Sequence, residues 1–177
     1  MLNFEGMGTI ENISVQKIWS ILEEVCDPEV PVLSVNDLGI IRDVKWRRIN
    51  DEEGIEVVVT PTYSGCPAMD VIRMNIRMVL LEHGYKNVQI TTVLSPAWTT
   101  DWMTEAGKQK LKAFGIAPPN PKQQVCNTHL FAEDEAVPCP HCNSYNTRRI
   151  SEFGSTACKS LFQCNDCQEP FDYFKCY

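Results

Sequence analysis

The sequence predicts an α+β protein: a small α/β domain with a three-stranded mixed sheet and about three helices, followed by a small β-rich, cysteine-bearing ribbon module. Three observations predict this class. Periodic segments in the first part of the chain follow the order helix, strand, strand, helix, strand, helix. A proline-rich polar stretch at residues 118–121 ends that pattern. Two Cys-x-x-Cys pairs follow in the last part of the chain.

The composition shift at these prolines divides the 177 residues into a domain at 1–117, a linker at 118–136 and a ribbon module at 137–177. The last segment is too short to bury the apolar surface that independent folding requires. A bound metal is therefore expected to hold it together.

The composition also excludes several classes of partner. A formal net charge of -7 offers no positive field to nucleic acid or to an anionic membrane. No apolar run approaches the ~20 residues that span a bilayer. The N-terminus lacks the pattern of a secretion signal, so we expect a cytoplasmic protein. In that compartment, nine cysteines indicate metal binding or redox chemistry rather than a disulfide framework.

Each element of the first domain has a local justification. The first helix has Ser14 as its expected N-cap, ends before the two prolines of residues 27–31, and has an apolar face made of Val15, Ile18, Trp19 and Leu22. Two strands follow, near residues 41–47 and 55–59, joined by a polar hairpin loop at 50–54. The second helix is expected to end at Gly84, the third strand to span 88–94, and the last helix to end at Gly115.

The second strand and the second helix are joined by the loop Thr60-Pro61-Thr62-Tyr63-Ser64-Gly65-Cys66-Pro67-Ala68. Pro67 fits the first helical position, which places the Cys66 sulfur beside free N–H groups and the positive end of the helix dipole. Such a position favours the thiolate, which binds metals and attacks electrophiles. The alternative is a half-buried cysteine that only caps the helix. We predict a functional thiol at Cys66, with Thr60, Ser64 and Gly65 in its loop.

A second loop, residues 95–102, also leaves a strand and enters a helix. A strand-helix-strand unit makes its two strands parallel, so both loops should lie at the same end of the sheet. This predicts a site formed by Cys66 and Trp98 together with Asp101 and Asp37.

The two Cys-x-x-Cys pairs are Cys139–Cys142 and Cys164–Cys167, separated by 21 residues. Two facing turns of this kind supply four thiolates in a tetrahedron, so we predict a structural metal. Zinc is the default, although iron fits the same four sulfurs. A second metal site is a weaker hypothesis, with free thiols as the alternative; its ligands would be Cys126, His129 and Cys158.

Longer motifs resemble a known family. The segments 27–31 (DPEVP), 37–41 (DLGII) and 60–67 (TPTYSGCP) resemble the small α/β domain of the SufT-like iron–sulfur assembly family. The segments 96–103, 154–159 and 167–176 extend the resemblance over nearly the whole chain, to the accessory D-subunit family of phenylacetyl-CoA epoxidase (ring-epoxidase) systems.

The resemblance implies an accessory protein with no turnover of its own. It implies assistance in maturing or inserting an iron or iron–sulfur centre in the oxygenase or reductase component, during aerobic phenylacetate degradation. The implied partners are the other subunits of that system and the iron–sulfur assembly machinery. Cys66 would carry iron or a cluster transiently, and Asp37 lies in another signature of the family. One cysteine is a small ligand set, so a homodimer that joins two Cys66 sulfurs is a secondary prediction.

Two alternatives remain open. A thiol-dependent enzyme using Cys66 would need a base, and the chain offers only His83, His129 and His141. A structural or electron-transfer subunit of the oxygenase complex would instead hold redox-active iron at the four-cysteine site.

Overall fold

The structure is a computed structural model that describes residues 7–119 and 137–175, with side chains from residue 15 onward. The contacts divide the chain into two compact units, Met1–Ala97 and Trp98–Tyr177. The first unit contains α1 (Met7–Leu22), β1 (Ile41–Ile49), β2 (Glu52–Val59), α2 (Ala68–Glu82) and β3 (Val88–Thr92). The second contains a 3₁₀ turn (Thr100–Trp102), α3 (Glu105–Ala113), β4 (Ile116–Ala117), β5 (Thr147–Ser151), β6 (Lys159–Cys164) and β7 (Pro170–Phe174). The α+β class predicted from the sequence is confirmed.

The sheet of the first unit has the order β1-β2-β3. β1 pairs with β2 antiparallel, and β2 pairs with β3 parallel, so the sheet is mixed, as predicted. One face is apolar, because Val44, Val57 and Ile90 lie side by side in the register and are all buried. This face and the buried stripes of α1 and α2 form the core of the unit.

The opposite face of the sheet carries a charged network centred on Glu56. The Glu56 carboxylate accepts hydrogen bonds from Arg47 at 2.8 Å and from the Thr91 hydroxyl at 2.7 Å, one partner on each neighbouring strand. Lys45 lies 3.5 Å from the same carboxylate. The Thr91 and Arg47 hydrogen bonds lower the pKa of Glu56 below its ordinary value. The network therefore ties all three strands together across the polar face.

Two predicted boundaries differ from the structure. Ser14 lies inside α1, which begins at Met7, so its assignment as an N-cap is wrong. Serine costs little in a helix interior, so one serine does not fix where a helix begins. The β1–β2 turn is also tighter than the predicted loop, with Asn50 and Asp51 at φ 52° and 66°. Asn and Asp tolerate the left-handed region that a two-residue hairpin requires, which allows β2 to begin at Glu52.

The second unit is built on a four-stranded sheet of order β4-β7-β6-β5, with β4 parallel to β7 and the other pairs antiparallel. Its core cluster contains Ala117, Val137, Cys139, Phe162, Cys164, Phe171 and Tyr173. The short strand β4 thus brings the chain at Ile116–Ala117 into the ribbon sheet. The division 1–117, 118–136 and 137–177 stays a prediction, since residues 120–136 lie outside the described residues.

Candidate metal centre and thiol site

The four predicted metal-binding sulfurs converge. All four Sγ atoms lie within 4.8 Å of one another. Cys139 and Cys167 are 3.7 Å apart at sulfur, and Cys142 and Cys164 are 3.6 Å apart. A tetrahedral ion with metal–sulfur bonds of about 2.3 Å has sulfur–sulfur edges of about 3.8 Å, close to these distances. The residues present therefore fit zinc in a closed, four-thiolate structural site.

The two Cys-x-x-Cys turns share one backbone design. In the first, the Cys139 N–H donates to the Ser144 carbonyl at 2.9 Å; in the second, the Cys164 N–H donates to the Glu169 carbonyl at 3.0 Å. The residue after the second cysteine has a positive φ in both turns, 61° at Asn143 and 65° at Gln168. This repetition explains why spacing alone identified both halves of the site.

Electrostatics at the site favour a bound cation. Backbone N–H groups of Cys167 and Asp166 lower the pKa of Cys164 to about 7. At Cys167 the Glu169 N–H also lowers the thiol pKa. Burial and the neighbouring sulfurs have the larger effect there and raise the pKa of Cys167 to about 12. Neighbouring sulfurs oppose each other's ionisation, so the pKa values of Cys164 and Cys167 move in opposite directions. A divalent ion removes that opposition and makes four thiolates stable together.

Side chains connect the two turns outside the sulfurs. The Asp166 carboxylate accepts hydrogen bonds from Ser144 Oγ and, at 2.8 Å, from Asn146 Nδ2. Asn165 Nδ2 donates to Asn146 Oδ1 at 2.9 Å. These contacts hold the turns facing each other.

Cys158 is separate from this site. Its thiol is buried and lies 3.1 Å from the Thr156 hydroxyl. Within the described ranges, the only group of three or more potential metal ligands is the four-cysteine cluster. Cys126 and His129, the other predicted ligands of a second metal, lie outside the described residues, so that hypothesis stays a prediction.

Cys66 lies at the entrance to α2, as predicted. The Cys66 N–H donates to the Tyr63 carbonyl at 3.1 Å, and the Cys66 carbonyl accepts from the Met69 N–H at 3.3 Å. Pro67, at φ -69°, occupies the cap position immediately before α2. The sulfur is half-buried and accepts a hydrogen bond from the Ala68 N–H. The loop and the free N–H groups of the helix end together fix its position.

The expected thiolate is not what the structure supports. Burial raises the pKa of the Cys66 thiol, and the Ala68 N–H opposes that effect only in part. The carboxylates of Glu29 and Asp27 raise the pKa further, while the Thr62 side chain acts against them. The N-terminal end of α2 lowers the pKa of Cys66, but burial and two nearby negative charges raise it by more. The direction of this pKa shift is opposite to the one that the helix end alone favours, and the role of Cys66 as a functional thiol stays a prediction.

The acidic residues that act on Cys66 come from the 27–31 motif, which the sequence analysis used as a helix stop and as part of the family resemblance, but not as part of the site. Asp27 Oδ1 accepts backbone N–H bonds from Glu29 at 2.7 Å and Val30 at 2.9 Å, which fold the motif into a tight turn. The signal for these residues was present, since the motif belongs to the resemblance. Its charge near Cys66 became visible only with the fold.

Asp37 is buried and forms a reciprocal cap with Ser34. Asp37 Oδ2 accepts from the Ser34 N–H at 3.1 Å, and Ser34 Oγ accepts from the Asp37 N–H at 3.0 Å. The 37–41 segment in turn meets the Cys66 loop, because the Thr60 N–H donates to the Ile40 carbonyl at 2.8 Å. Asp37 therefore supports the backbone that carries the start of the loop.

The other predicted loop residues differ in environment. Ser64 and Gly65 are exposed. Thr60 is buried, and its hydroxyl has no hydrogen-bond partner among the described residues. Trp98 and Asp101 belong to the second unit, where Trp98 is 3% exposed and packs edge-on against Phe174 at a centroid distance of 6.1 Å. Their proximity to Cys66 stays a prediction.

Comparisons with known proteins match both parts of the chain. Residues 15–91 match the iron-sulfur cluster assembly protein family, and residues 123–175 match the PaaD zinc beta ribbon domain. The chain is therefore an iron–sulfur assembly domain followed by a zinc ribbon. It is 46% identical, over 97% of its length and 99% of the relative, to an Escherichia coli (strain K12) protein named as the D-subunit of a 1,2-phenylacetyl-CoA epoxidase. The chain belongs to this epoxidase D-subunit family, which confirms the resemblance.

Two further matches cover about three fifths of the chain. An Fe-S protein maturation auxiliary factor of Porphyromonas gingivalis (strain ATCC BAA-308 / W83) is 36% identical over 62% of this chain and 97% of its own length. The crystal structure of a DUF59 domain from Bacillus anthracis covers 59% of this chain and 96% of that domain, with a TM-score of 0.53 and 24% identity. The second match shows a shared fold. Within the described residues, no helix is long and apolar enough to cross a membrane.

Proposed function

We propose that this protein assists the maturation of an iron or iron–sulfur centre in the oxygenase or reductase component of a phenylacetyl-CoA epoxidase system, in the cytoplasm. The observation that carries the proposal is the half-buried Cys66 thiol at the start of α2, beside the carboxylates of Asp27 and Glu29. The kinship with an epoxidase D-subunit and with an Fe-S maturation factor supports the same role.

The electrostatics of Cys66 suit a cargo cation better than nucleophilic attack. An uncharged thiol is a poor nucleophile and a poor ligand. An arriving iron ion is attracted by the two carboxylates and displaces the thiol proton, so binding produces the thiolate only when cargo is present. The site then returns to its neutral form after the iron has left. A transient carrier needs this reversibility.

One thiol cannot hold iron tightly, so other ligands must complete the set. They can come from the client protein, from a small thiol, or from a second copy of the chain. The ribbon module gives the protein a second, rigid surface, and we propose that it docks the client. Zinc in the four-cysteine site is structural in this account.

Of the three histidines, His129 lies outside the described residues, and the positions of the other two disfavour a thiol-dependent enzyme. His83 Nε2 lies 3.0 Å from Glu24 Oε1, and His83 caps the C-terminal end of α2, whereas Cys66 precedes the N-terminal end. A helix of 15 residues separates them by about 22 Å. His141 lies within the first Cys-x-x-Cys turn. We therefore propose an accessory role without turnover.

The test is co-expression of the epoxidase components with wild-type protein, with Cys66→Ser, or with Cys26→Ser. Cys26 is an exposed cysteine of the same unit and serves as the matched control. We expect Cys66→Ser to lower the iron content of the purified oxygenase or reductase, while Cys26→Ser leaves it at the wild-type level. Equal client iron with all three proteins would refute the proposal.

A further inference from the structure

The four metal-binding cysteines differ in their access to solvent. Cys139 and Cys164 are both 0% exposed and belong to the core cluster of the second unit. Cys167 is half-buried, whereas Cys142 is exposed. The four-cysteine site is thus shielded on the side of the core and open to small molecules at Cys142.

This difference matters because cysteine oxidation depends on both ionisation and access. A cysteine that binds zinc does so as a thiolate, and the thiolate is the form that peroxides oxidise. In the metal-loaded site all four cysteines meet the first condition, but Cys142 meets the second condition best. We propose that Cys142 is the entry point of a redox switch: hydrogen peroxide oxidises Cys142, a disulfide with Cys164 follows, and the module gives up its metal.

The geometry of the cluster favours this disulfide. The sulfurs of Cys142 and Cys164 are 3.6 Å apart, and the two residues lie on different turns, 22 positions apart in the chain. Bonded sulfurs are about 2.05 Å apart, so the two atoms need to approach by only about 1.5 Å. The turns already face each other, because the Asp166 carboxylate accepts hydrogen bonds from Ser144 and Asn146 of the opposite turn.

The reaction balances with one peroxide molecule. The Cys142 thiolate attacks a peroxide oxygen, the O–O bond breaks, and a sulfenic acid and a hydroxide ion form. The Cys164 thiolate then attacks the sulfenic sulfur, which forms the S–S bond and releases a second hydroxide ion. Two thiolates therefore lose two electrons in total, and hydrogen peroxide takes up both.

Oxidation leaves too few ligands for the structural metal. Only Cys139 and Cys167 remain as thiolates, with sulfurs 3.7 Å apart, and two thiolates do not complete a four-ligand site. The second unit then loses the stabilisation that metal binding supplies. A dithiol reductant restores both thiolates, so the switch is reversible. The switch is independent of Cys66; only its use, the release of a client docked on the ribbon module, rests on the proposed function.

The first experiment uses the full-length, zinc-loaded protein with an excess of hydrogen peroxide. A chromogenic chelator follows the release of zinc, and mass spectrometry of non-reduced peptides maps the disulfides. We expect one zinc per chain to be released, with Cys142–Cys164 as the first disulfide. Dithiothreitol and added zinc should then restore the loaded site. A first disulfide without Cys142, or zinc release that dithiothreitol does not reverse, would overturn the proposal.

Two histidine variants test the entry point, because three cysteines and one histidine also form a structural zinc site. Cys142→His removes the exposed thiolate and should slow zinc release at least about tenfold. Cys167→His makes the same exchange at the half-buried cysteine and should stay within about threefold of the wild-type rate. Elemental analysis before oxidation checks that each variant holds one zinc. If a variant does not hold zinc, the disulfide map of the wild-type protein decides alone.

Cys66→Ser separates this test from that of the proposed function. It leaves the four-cysteine site intact and should release zinc at the wild-type rate, whatever its effect on the iron content of the client. Equal rates for Cys142→His and Cys167→His would mean that exposure does not select the oxidised cysteine, and would refute the assignment of Cys142.

Discussion

Removal of the metal should unfold the second unit and leave the first unit folded. The core cluster of the second unit has seven side chains, and two of them are the metal-binding residues Cys139 and Cys164. A structural zinc site contributes about 10–16 kcal/mol. A small domain has a total stability of about 5–15 kcal/mol, so the unit has no stability left without the ion. The same loss is expected from Cys139→Ser, because three sulfurs do not close the tetrahedron.

Hydrogen exchange measured by mass spectrometry, before and after chelation, separates the two units. Amides of β6 should lose their protection, because this strand lies between β5 and β7 and ends at Cys164. Amides of α2 should exchange as before. Cys158→Ser is the matched control, since this buried thiol is not one of the four and its metal and β6 protection should remain. Protected β6 amides in fully metal-free protein would contradict the reasoning.

Three further predictions concern stability and titration. Glu56→Gln should lower the free energy of unfolding by about 1–2 kcal/mol near neutral pH. Because the pKa of Glu56 is lowered in the folded state, the difference in unfolding free energy between wild type and variant is fully present above the ordinary pKa of a carboxylate. It disappears as the pH falls through the folded-state pKa of Glu56. Urea unfolding of both proteins at pH 7 and at pH 3 checks this. Alkylation of Cys66 should have a pH midpoint above the usual ~8.5 of a free thiol, because burial raises its pKa; stopped-time iodoacetamide labelling measures this. Gly154→Ala should destabilise the second unit by about 1–3 kcal/mol, because the new Cβ would lie 2.5 Å from Asp172 Oδ1 and displace a carboxylate that Ser155 Oγ holds by a 3.0 Å hydrogen bond. Gly65→Ala should leave the stability unchanged, because its Cβ would lie 3.9 Å from its nearest neighbour. Thermal melts of the two glycine variants beside wild type measure both effects.

For each of these predictions, a specific result would contradict the physical reason given. A Glu56→Gln difference that persists unchanged at pH 3 would mean that the carboxylate is not the source of the stabilisation. An alkylation midpoint below that of free cysteine would restore the thiolate that the sequence alone favoured. A Gly154 variant as stable as the Gly65 variant would show that the loop before β6 moves without cost.

The parts of this protein that depend on local pattern were readable from the sequence. The four-cysteine site depends on two turns with one repeated spacing, so the spacing predicted the ligands before any coordinates. The mixed sheet followed from a hairpin and a strand-helix-strand unit, whose directions are fixed by chain connectivity.

The parts that depend on distant contacts were not readable. The rise in the Cys66 pKa comes from burial and from the carboxylates of Glu29 and Asp27, which lie far from Cys66 along the chain. The sequence analysis predicted a lowered pKa for Cys66, because the end of α2 was the only contribution that the local sequence revealed. The pairing of β4 with β7 was also missed, since two residues in a strand carry no periodic signal.

The most direct measurement of the central claim is iron binding by the anaerobically purified protein, wild type beside Cys66→Ser. Elemental analysis after incubation with Fe²⁺ and gel filtration should find one zinc per chain in both proteins. It should find iron retained by wild type and lost in the variant, in the presence of a small thiol that completes the ligand set. Equal iron on the two proteins would contradict the assignment of Cys66 as the thiol that carries the cargo.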